Sequence, residues 1–140
     1  MAYNPNELYS DADVSPSPRI AAKRIGPKTF ASGSGTLAKG TPVARSSATT
    51  FWVPWTNAGG NQTGTIRGFV WPDDVVLDSD EEVLGQVMLE GDLHYDDIPV
   101  PTGETAANMA TALKVSPGVA DGLPSCRELG LHIQGLPDTY

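Results

Sequence analysis

The fold is decided by residues 63–98, TGTIRGFVWPDDVVLDSDEEVLGQVMLEGDLHYDDI, which read as a strand, an acidic turn region and a second strand. In residues 65–70 and in residues 83–90, side chains fall into two alternating sets with a period of two, as on the two faces of a strand. In the second run both alternating sets are mostly apolar, which is typical of a strand covered on both faces. Between the runs, Pro72 and the acidic residues of 73–82 favour turns and break any helix. This segment predicts the core of a small β-rich domain, and nothing in it indicates an active site.

Length and composition agree with that prediction. The chain has 140 residues, enough for one domain with a buried core. Its 15 glycines and 12 prolines, with 39% hydrophobic residues, favour many turns and some irregular chain over long helices. We therefore expect a mainly β fold with a small helical part, an α+β architecture.

Net charge limits the kinds of partner that this chain can bind, and the single cysteine indicates the kind of compartment. The net charge of −8 argues against nucleic acid or an anionic membrane, because both require clustered Lys and Arg. No apolar run approaches the roughly 20 residues of a membrane span, and the N-terminus does not resemble a signal peptide. Cys126 alone cannot form an internal disulfide and fits a reducing compartment. The sequence predicts a soluble protein that is made and used without secretion.

The charges are distributed unevenly along the chain. Residues 68–113 contain eleven of the 17 acidic residues and no Lys or Arg, whereas four of the nine basic residues lie between Arg19 and Lys28. One interpretation is a solvated acidic face with a scattered basic tail. The other is that the basic segment docks on an acidic surface, either of its own chain's neighbour or of a partner.

Residues 1–35 are predicted to form an extended N-terminal arm. Four prolines punctuate this segment, Ser32–Gly35 resembles a flexible joint, and no periodicity persists across it. Spaced apolar residues would nevertheless anchor it to a surface; they are Tyr3, Leu8, Tyr9, Ile20, Ile25 and Phe30. We expect contact with another chain rather than packing on the arm's own domain, for example by strand addition to a neighbouring sheet edge.

The folded domain is predicted to span residues 36–135, followed by a C-terminal tail over 136–140. Residues 36–44 read as a strand, a turn at Lys39-Gly40 and a second strand, and Phe51–Trp55 reads as a short aromatic strand. Thr102 is predicted to cap a helix over roughly 103–114. Residues 128–134 are predicted to form the last strand, and the capping-box match of Ser125 with Glu128 is taken as chance.

Several groupings of titratable residues suggest catalysis or metal binding, and each has a simpler explanation. His94 lies beside Tyr95, Asp96 and Asp97, but a metal site requires three or four converging ligands. The acidic residues of 78–82 do not follow the calcium-loop pattern, and Cys126 has no neighbour in sequence that would activate it. We expect no catalytic residue, no metal and no cofactor.

The tryptophans Trp52, Trp55 and Trp71 remain candidates for a contact surface. Trp52 and Trp55 are three residues apart, so in a regular strand they face opposite sides, which predicts one core ring and one exposed ring. An exposed ring would suit an oligomer contact, which we favour, or a carbohydrate-binding platform, which stays open as the alternative.

The order of these features resembles the lambda-type head decoration proteins of tailed bacteriophages. The likeness covers about residues 35–135 and is strongest in Glu90–Ile98, EGDLHYDDI, which is followed by proline and a helix. Further segments of likeness are GTLAKGTPVA (35–44), the aromatic strand at 51–55, GTIRGFV (64–70) and LGLHI (129–133). The sequence departs from the family in a longer loop over 119–127 and in the tail past Gly135.

The resemblance implies a compact β-rich domain that forms a homotrimer and lies on the outer capsid surface of the virion. There it would clamp neighbouring major capsid protein subunits at threefold and quasi-threefold sites after the head expands, having been made in the host cytoplasm. The family's N-terminal arm orders on the shell and pairs with capsid-protein strands. The arm residues expected to bind the capsid are Tyr3, Leu8, Tyr9, Arg19, Ile20, Lys23, Arg24, Ile25, Lys28 and Phe30. Trp52, Trp55 and Trp71 are the candidate trimer contacts.

Overall fold

The computed structural model describes residues 20–114 and 125–136. Within them the chain forms eight strands, two short α-helices and one turn of 3-10 helix over Tyr95–Asp97. The strands are β1 (Ile20–Phe30), β2 (Thr36–Leu37), β3 (Pro42–Arg45), β4 (Trp52–Pro54), β5 (Gly68–Val70), β6 (Val75–Val76), β7 (Val83–His94) and β8 (Leu131–Gln134). The helices are α1 (Ala106–Lys114) and α2 (Cys126–Leu129).

Five of the strands close into a ring. The order is β1, β4, β3, β5, β7, and β7 pairs back onto β1 in an antiparallel ladder that runs from Val83 to Leu93. The β1–β4 junction is a single parallel pair, Phe30 with Trp52. Strand β8 lies outside the ring, parallel to the second half of β7, and β2 pairs with β6 in a separate two-stranded sheet.

The inside of the ring is filled by an apolar cluster, here called the inner cluster. Each ring strand contributes one buried side chain and β6 adds another; they are Phe30, Val43, Trp52, Val70, Val87 and Val75. Gly85 makes room for this packing, because a Cβ there would lie 2.6 Å from Val75 Cγ2 and 2.9 Å from Phe30 Cε1. Burial of each large apolar side chain contributes about 1.5–3 kcal/mol.

A second apolar cluster, the outer cluster, lies between the other face of the strands and the helices. Its buried members are Trp55, Ile66, Phe69, Met88, Leu93, Ile98, Met109, Leu113, Cys126 and Leu131. In β7, Val87 faces the inner cluster and Met88 the outer one, so both faces of this strand are covered, as its apolar pattern predicts.

The fold class predicted from the sequence is confirmed. Of the described residues, 38% are in strands and 15% are helical, in a mixed sheet with two helices. The two central strands are antiparallel neighbours, with Phe69 opposite Met88 and Val70 opposite Val87. The predicted turn at Lys39-Gly40 and the aromatic strand are also present.

The predicted boundary between arm and domain at residue 35 is wrong. Residues 20–30 form β1, which pairs with β7 of the same chain from Ile20 to Phe30. The folded unit therefore includes residues 20–35, which are predicted to belong to the arm, and extends at least sixteen residues before the predicted start at Thr36. Residues 1–19 lie outside the described residues. At the other end, Leu136 packs against the outer cluster, and residues 137–140 lie outside the described residues.

Two local predictions near the helices are also wrong. Helix α1 begins after Thr105, whose Oγ1 accepts a hydrogen bond from the Asn108 N–H at 3.1 Å, so Thr105 rather than Thr102 is its cap. Residues 126–129 are helical, and only 131–134 form the predicted last strand. The Ser125 hydroxyl accepts from the Glu128 N–H at 3.3 Å, so the capping-box match is genuine.

Candidate interaction surfaces

An exposed, partly apolar surface runs along the outside of the β1–β7 ladder. The register places Thr29 opposite Leu84, Pro27 opposite Gln86 and Ile25 opposite Met88. Directly opposed residues of an antiparallel pair point to the same face. Leu84 is 76% exposed and Ile25 42% exposed. We name Ile25, Pro27, Thr29, Leu84 and Gln86 together the β1–β7 face.

The sequence produces this face because the intervening residues point inward. Phe30, Lys28 and Gly26 lie opposite Val83, Gly85 and Val87, and this alternate set faces the inner cluster. Single exposed apolar residues are ordinary on protein surfaces. Here Leu84 and Ile25 share one face of one ladder, and an apolar group of this kind is typical of a contact surface.

Charged residues border the face at the Ile25 end. Arg24 Nε lies 3.5 Å from Glu90 Oε1, with side chains 57% and 43% exposed. An exposed pair of this kind contributes about 0–1 kcal/mol. The ladder register shifts on both sides of Arg24, and such irregularities redirect side chains at the rim of a sheet. Arg24, one of the basic residues predicted to dock on a partner, therefore forms an ion pair with Glu90 of its own chain.

The predicted capsid-binding residues separate into four groups. Tyr3, Leu8, Tyr9 and Arg19 lie outside the described residues. Lys23, Arg24 and Ile25 are exposed on β1, and Lys28 is half-buried with its Nζ over the Trp52 ring. Phe30 is completely buried in the inner cluster and Ile20 packs against the outer cluster, so these two side chains serve the fold of their own chain.

The tryptophans pack differently from the prediction. Trp52 belongs to the inner cluster and Trp55 to the outer one, so they do face opposite sides. However, they are only 6% and 1% exposed, and the prediction that one of them is an exposed ring is wrong. Trp55 Nε1 donates a hydrogen bond to the Gly64 carbonyl at 3.0 Å. A carbohydrate platform built on Trp52 and Trp55 has no support in this arrangement.

Trp71 is the tryptophan nearest to a surface role. It is half-buried against the outer cluster. Lys39 Nζ lies 5.9 Å from the centroid of its ring, a cation–π distance. The backbone N–H of Trp71 donates to the Gln86 carbonyl at 3.3 Å, so the chain after β5 continues beside Gln86, a residue of the β1–β7 face.

The titratable groups noted in the sequence have structural partners. His94 Nδ1 accepts a hydrogen bond from the Asp96 N–H at 3.2 Å. Asp78 Oδ1 accepts from the N–H groups of Asp80 and Glu81, at 2.7 and 3.3 Å. Burial raises the pKa of the Cys126 thiol to about 12. Within residues 20–114 and 125–136, no three His, Cys, Asp or Glu side chains converge so as to hold a metal ion.

A cleft of about 510 Å³ lies between residues 34–38, 53–56 and 99–104. Its lining is mainly threonine, proline and small apolar side chains, with Glu104 as the charged residue. Such a lining has no nucleophile paired with a base. The described part of the chain also contains no helix that is both long and apolar enough to cross a membrane.

A group of three cations, two of which neighbour Trp52, is not apparent from the sequence. Arg45 is the direct cross-strand neighbour of Trp52, and Lys28 Nζ lies 5.5 Å from the centroid of the Trp52 ring. Arg67 is half-buried near Arg45, and its N–H donates to the Val43 carbonyl at 2.8 Å. Burial and then the charge of Arg45 lower the pKa of Arg67. We name Lys28, Arg45 and Arg67 the cation cluster.

Comparison with known proteins adds no relative. No protein-family model matches the chain, and no curated protein matches its sequence.

Proposed function

We propose that this chain is a structural virion protein: a homotrimeric decoration, or cement, protein on the outer surface of a tailed-bacteriophage capsid. Each trimer clamps neighbouring major capsid subunits at threefold and quasi-threefold sites and stabilises the expanded head. The protein is made in the host cytoplasm. Its role is mechanical and requires no catalytic residue, metal or cofactor.

The observation that carries the proposal is the ordered series of segments that resemble the lambda-type decoration proteins. These segments coincide with β2 and β3, β4, the whole of β5 with the residues that precede it, the second half of β7, and β8. The segment of greatest likeness, Glu90–Ile98, forms the end of β7 and the turn after it, where β7 pairs with both β1 and β8. A mainly β domain with a small helical part is also what the resemblance implies.

The β1–β7 face supports the proposal as a surface for protein contact. Its apolar residues Ile25 and Leu84 are exposed, and the Arg24–Glu90 pair lies at its border. An apolar centre with a charged rim is the usual composition of a protein–protein interface. The strand that supplies half of the face, β1, continues directly from residues 1–19, which remain the proposed docking arm.

The proposed mechanism is multivalent binding. Ordering an arm on a capsid costs about 1–2 kcal/mol per residue in backbone entropy, so one arm binds weakly. In a trimer the second and third arms bind at a high effective concentration set by the first. Because the trimer bridges several capsid subunits, their separation requires that its contacts break as well.

The test is binding to expanded, undecorated capsids of the virus that encodes this chain. We expect particle imaging to place the full-length chain at the threefold and quasi-threefold positions. A chain lacking residues 1–19 should keep its fold and trimeric mass but lose most of its occupancy. Absence of density at these positions would refute the proposed function, whereas unchanged occupancy of the truncated chain would refute only the role of the arm.

A matched pair of substitutions tests the β1–β7 face in the same assay. Leu84→Asp places a charge within the face, and Val76→Asp places the same charge on an equally exposed valine of β6, outside the face; the two side chains are 76% and 68% exposed. We expect Leu84→Asp to reduce capsid occupancy or trimer mass and Val76→Asp to leave both unchanged. Equal effects would show that the face has no specific role.

A further inference from the structure

The cation cluster has no carboxylate partner within the part of the chain that the structure describes. The ion pairs of Arg24 with Glu90 and of His94 with Asp96, both between described residues, do not involve these three cations. Lys28, Arg45 and Arg67 are each half-buried. Lys28 Nζ lies over the Trp52 ring, Arg45 is the cross-strand neighbour of Trp52, and the charge of Arg45 acts on Arg67. Such a group of cations without a counter-charge is unexpected in a chain with a net charge of −8.

The arrangement of the cluster is suited to an anionic partner. Trp52 is only 6% exposed. Lys28 Nζ lies 5.5 Å from the centroid of its ring, and Arg45 lies directly opposite Trp52 on the neighbouring strand β3. Partial burial makes the arginines less hydrated, so a carboxylate that approaches them displaces little water. Guanidinium groups bind carboxylates through paired, charge-assisted hydrogen bonds. Each arginine is anchored by its backbone in the sheet or beside it.

The same chain carries a projecting group of carboxylates before β7. Asp80, Glu81 and Glu82 are consecutive and exposed. Asp78 orders this turn, because its Oδ1 accepts hydrogen bonds from the N–H groups of Asp80 and Glu81. We name residues 78–82 the acidic turn. Within the described residues, none of its carboxylates forms an ion pair with a cation.

We propose that the cation cluster of one copy of this chain binds the acidic turn of a second copy. The inference rests on the homotrimer of the proposed function and assigns the contact that closes it. A cyclic trimer requires two different, complementary patches on each subunit, because its interface is heterologous. Lys28, Arg45 and Arg67 form one such patch, and Asp80, Glu81 and Glu82 form the other.

The contact would determine orientation more than total affinity. Complementary charges steer association and select the register of two surfaces. The apolar part of the interface would come from neighbouring surface. A consequence is that assembly depends on salt, because screening shortens the range of these charges to about 10 Å at ordinary ionic strength.

Charge reversal tests the contact from both sides. The turn variant is Glu81→Arg with Glu82→Arg, and the cluster variant is Arg45→Glu with Arg67→Glu. The controls are Asp73→Arg and Lys23→Glu, which reverse exposed charges outside both patches. The readout is the association constant from sedimentation at low and at high salt. We expect each reversed chain to associate at least about tenfold more weakly, and the chain that carries both reversals to recover.

The outcomes distinguish this contact from the proposed function. The turn variant changes only exposed side chains, so we expect it to fold. Its association constant therefore tests the contact even if the cluster variant fails to fold. If the turn variant associates as tightly as the wild type, the contact is refuted and the proposed function stands. If the wild-type chain is monomeric, the trimer itself is refuted. If the cluster variant stays trimeric but no longer binds capsids, the partner of the cluster is the capsid protein and not a second copy.

Discussion

Phe30 and Thr29 are neighbours in β1 and have opposite surroundings. The Phe30 side chain is fully buried in the inner cluster, whereas Thr29 is exposed on the β1–β7 face. The alternation of the strand decides between the two positions, since successive side chains point to opposite faces. At the scale of single residues, alternate positions of β1 therefore decide whether a side chain is buried in the core or exposed on the β1–β7 face.

This difference predicts the cost of truncating each side chain. We expect Phe30→Ala to lower the free energy of unfolding by about 3–5 kcal/mol, because it leaves a cavity inside the ring. Thr29→Ala is the matched control and should change stability by no more than about 0.5 kcal/mol. Urea denaturation of both chains measures the difference. Equal stabilities would mean that Phe30 is not part of the core in solution.

Cys126 predicts a dependence of stability on alkaline pH. Burial raises the pKa of its thiol from 9.0 to about 12 in the folded chain. The folded state therefore holds a proton that the unfolded state loses above pH 9. The protonated thiol therefore contributes to the free energy of unfolding. This contribution is fully present below pH 9 and falls by about 1.4 kcal/mol per pH unit as the pH rises towards 12.

Urea denaturation at a series of pH values between about 8 and about 11 measures this slope. The Cys126→Ala chain supplies the control, because it retains the tyrosines and lysines that titrate in the same range. We expect a shallower slope for the control. The native thiol should also resist alkylation at pH 8, since it is only 3% exposed and uncharged. Rapid alkylation without unfolding would contradict its burial.

At the scale of elements, the start of helix α1 is decided by one hydroxyl. Thr102, Thr105 and Thr111 all lie in or near the helix. Only Thr105 is placed so that its Oγ1 accepts from the N–H three residues on. Residues 101–104 instead form a turn, closed by a hydrogen bond from the Glu104 N–H to the Pro101 carbonyl at 3.0 Å.

Two threonine substitutions test this assignment. Thr105→Ala should lower the free energy of unfolding by about 1 kcal/mol, because an N–H of the first turn loses its acceptor. Thr102→Ala removes the same atoms three residues earlier and should have no measurable effect. Thermal unfolding of both chains gives the comparison. A larger loss from Thr102→Ala would show that the helix begins earlier than in the structure.

At the scale of the whole molecule, β1 closes the ring. It pairs with β7 over 11 residues and meets β4 at the Phe30–Trp52 pair. Without β1, the ring would have two open strand edges and the inner cluster would lose Phe30. The arm predicted over residues 1–35 therefore contains a strand on which the domain depends.

Two truncations separate the strand from the proposed docking arm. A chain that begins at residue 20 should unfold cooperatively, with a denaturant dependence like that of the full chain. A chain that begins at residue 31 lacks β1 and should show no cooperative transition, because the open ring exposes its core. Circular dichroism during urea titration measures both. Cooperative unfolding of the shorter chain at the full-length midpoint would show that β1 is dispensable.

The sequence by itself determined the central β5–β7 pair, the mainly β class, helix α1 and the opposite orientations of Trp52 and Trp55. These features follow from local patterns: alternation in 65–70 and 83–90, turn residues between them, and the spacing of two rings in one strand. A pattern of this kind is set by neighbours in the chain, so it can be recognised without knowing the fold.

Only the tertiary structure decided that residues 20–30 form a strand of the ring and that the three cations are grouped together. β1 contains Gly26, Pro27 and three basic residues, so its own pattern does not predict a core strand, and its partner β7 lies more than fifty residues further along the chain. Lys28, Arg45 and Arg67 are likewise grouped only because β1, β3 and the residues before β5 are brought together in the ring. The free energy that positions these residues comes from closing the ring around the inner cluster, and a contact between distant segments leaves no periodic signal in either one.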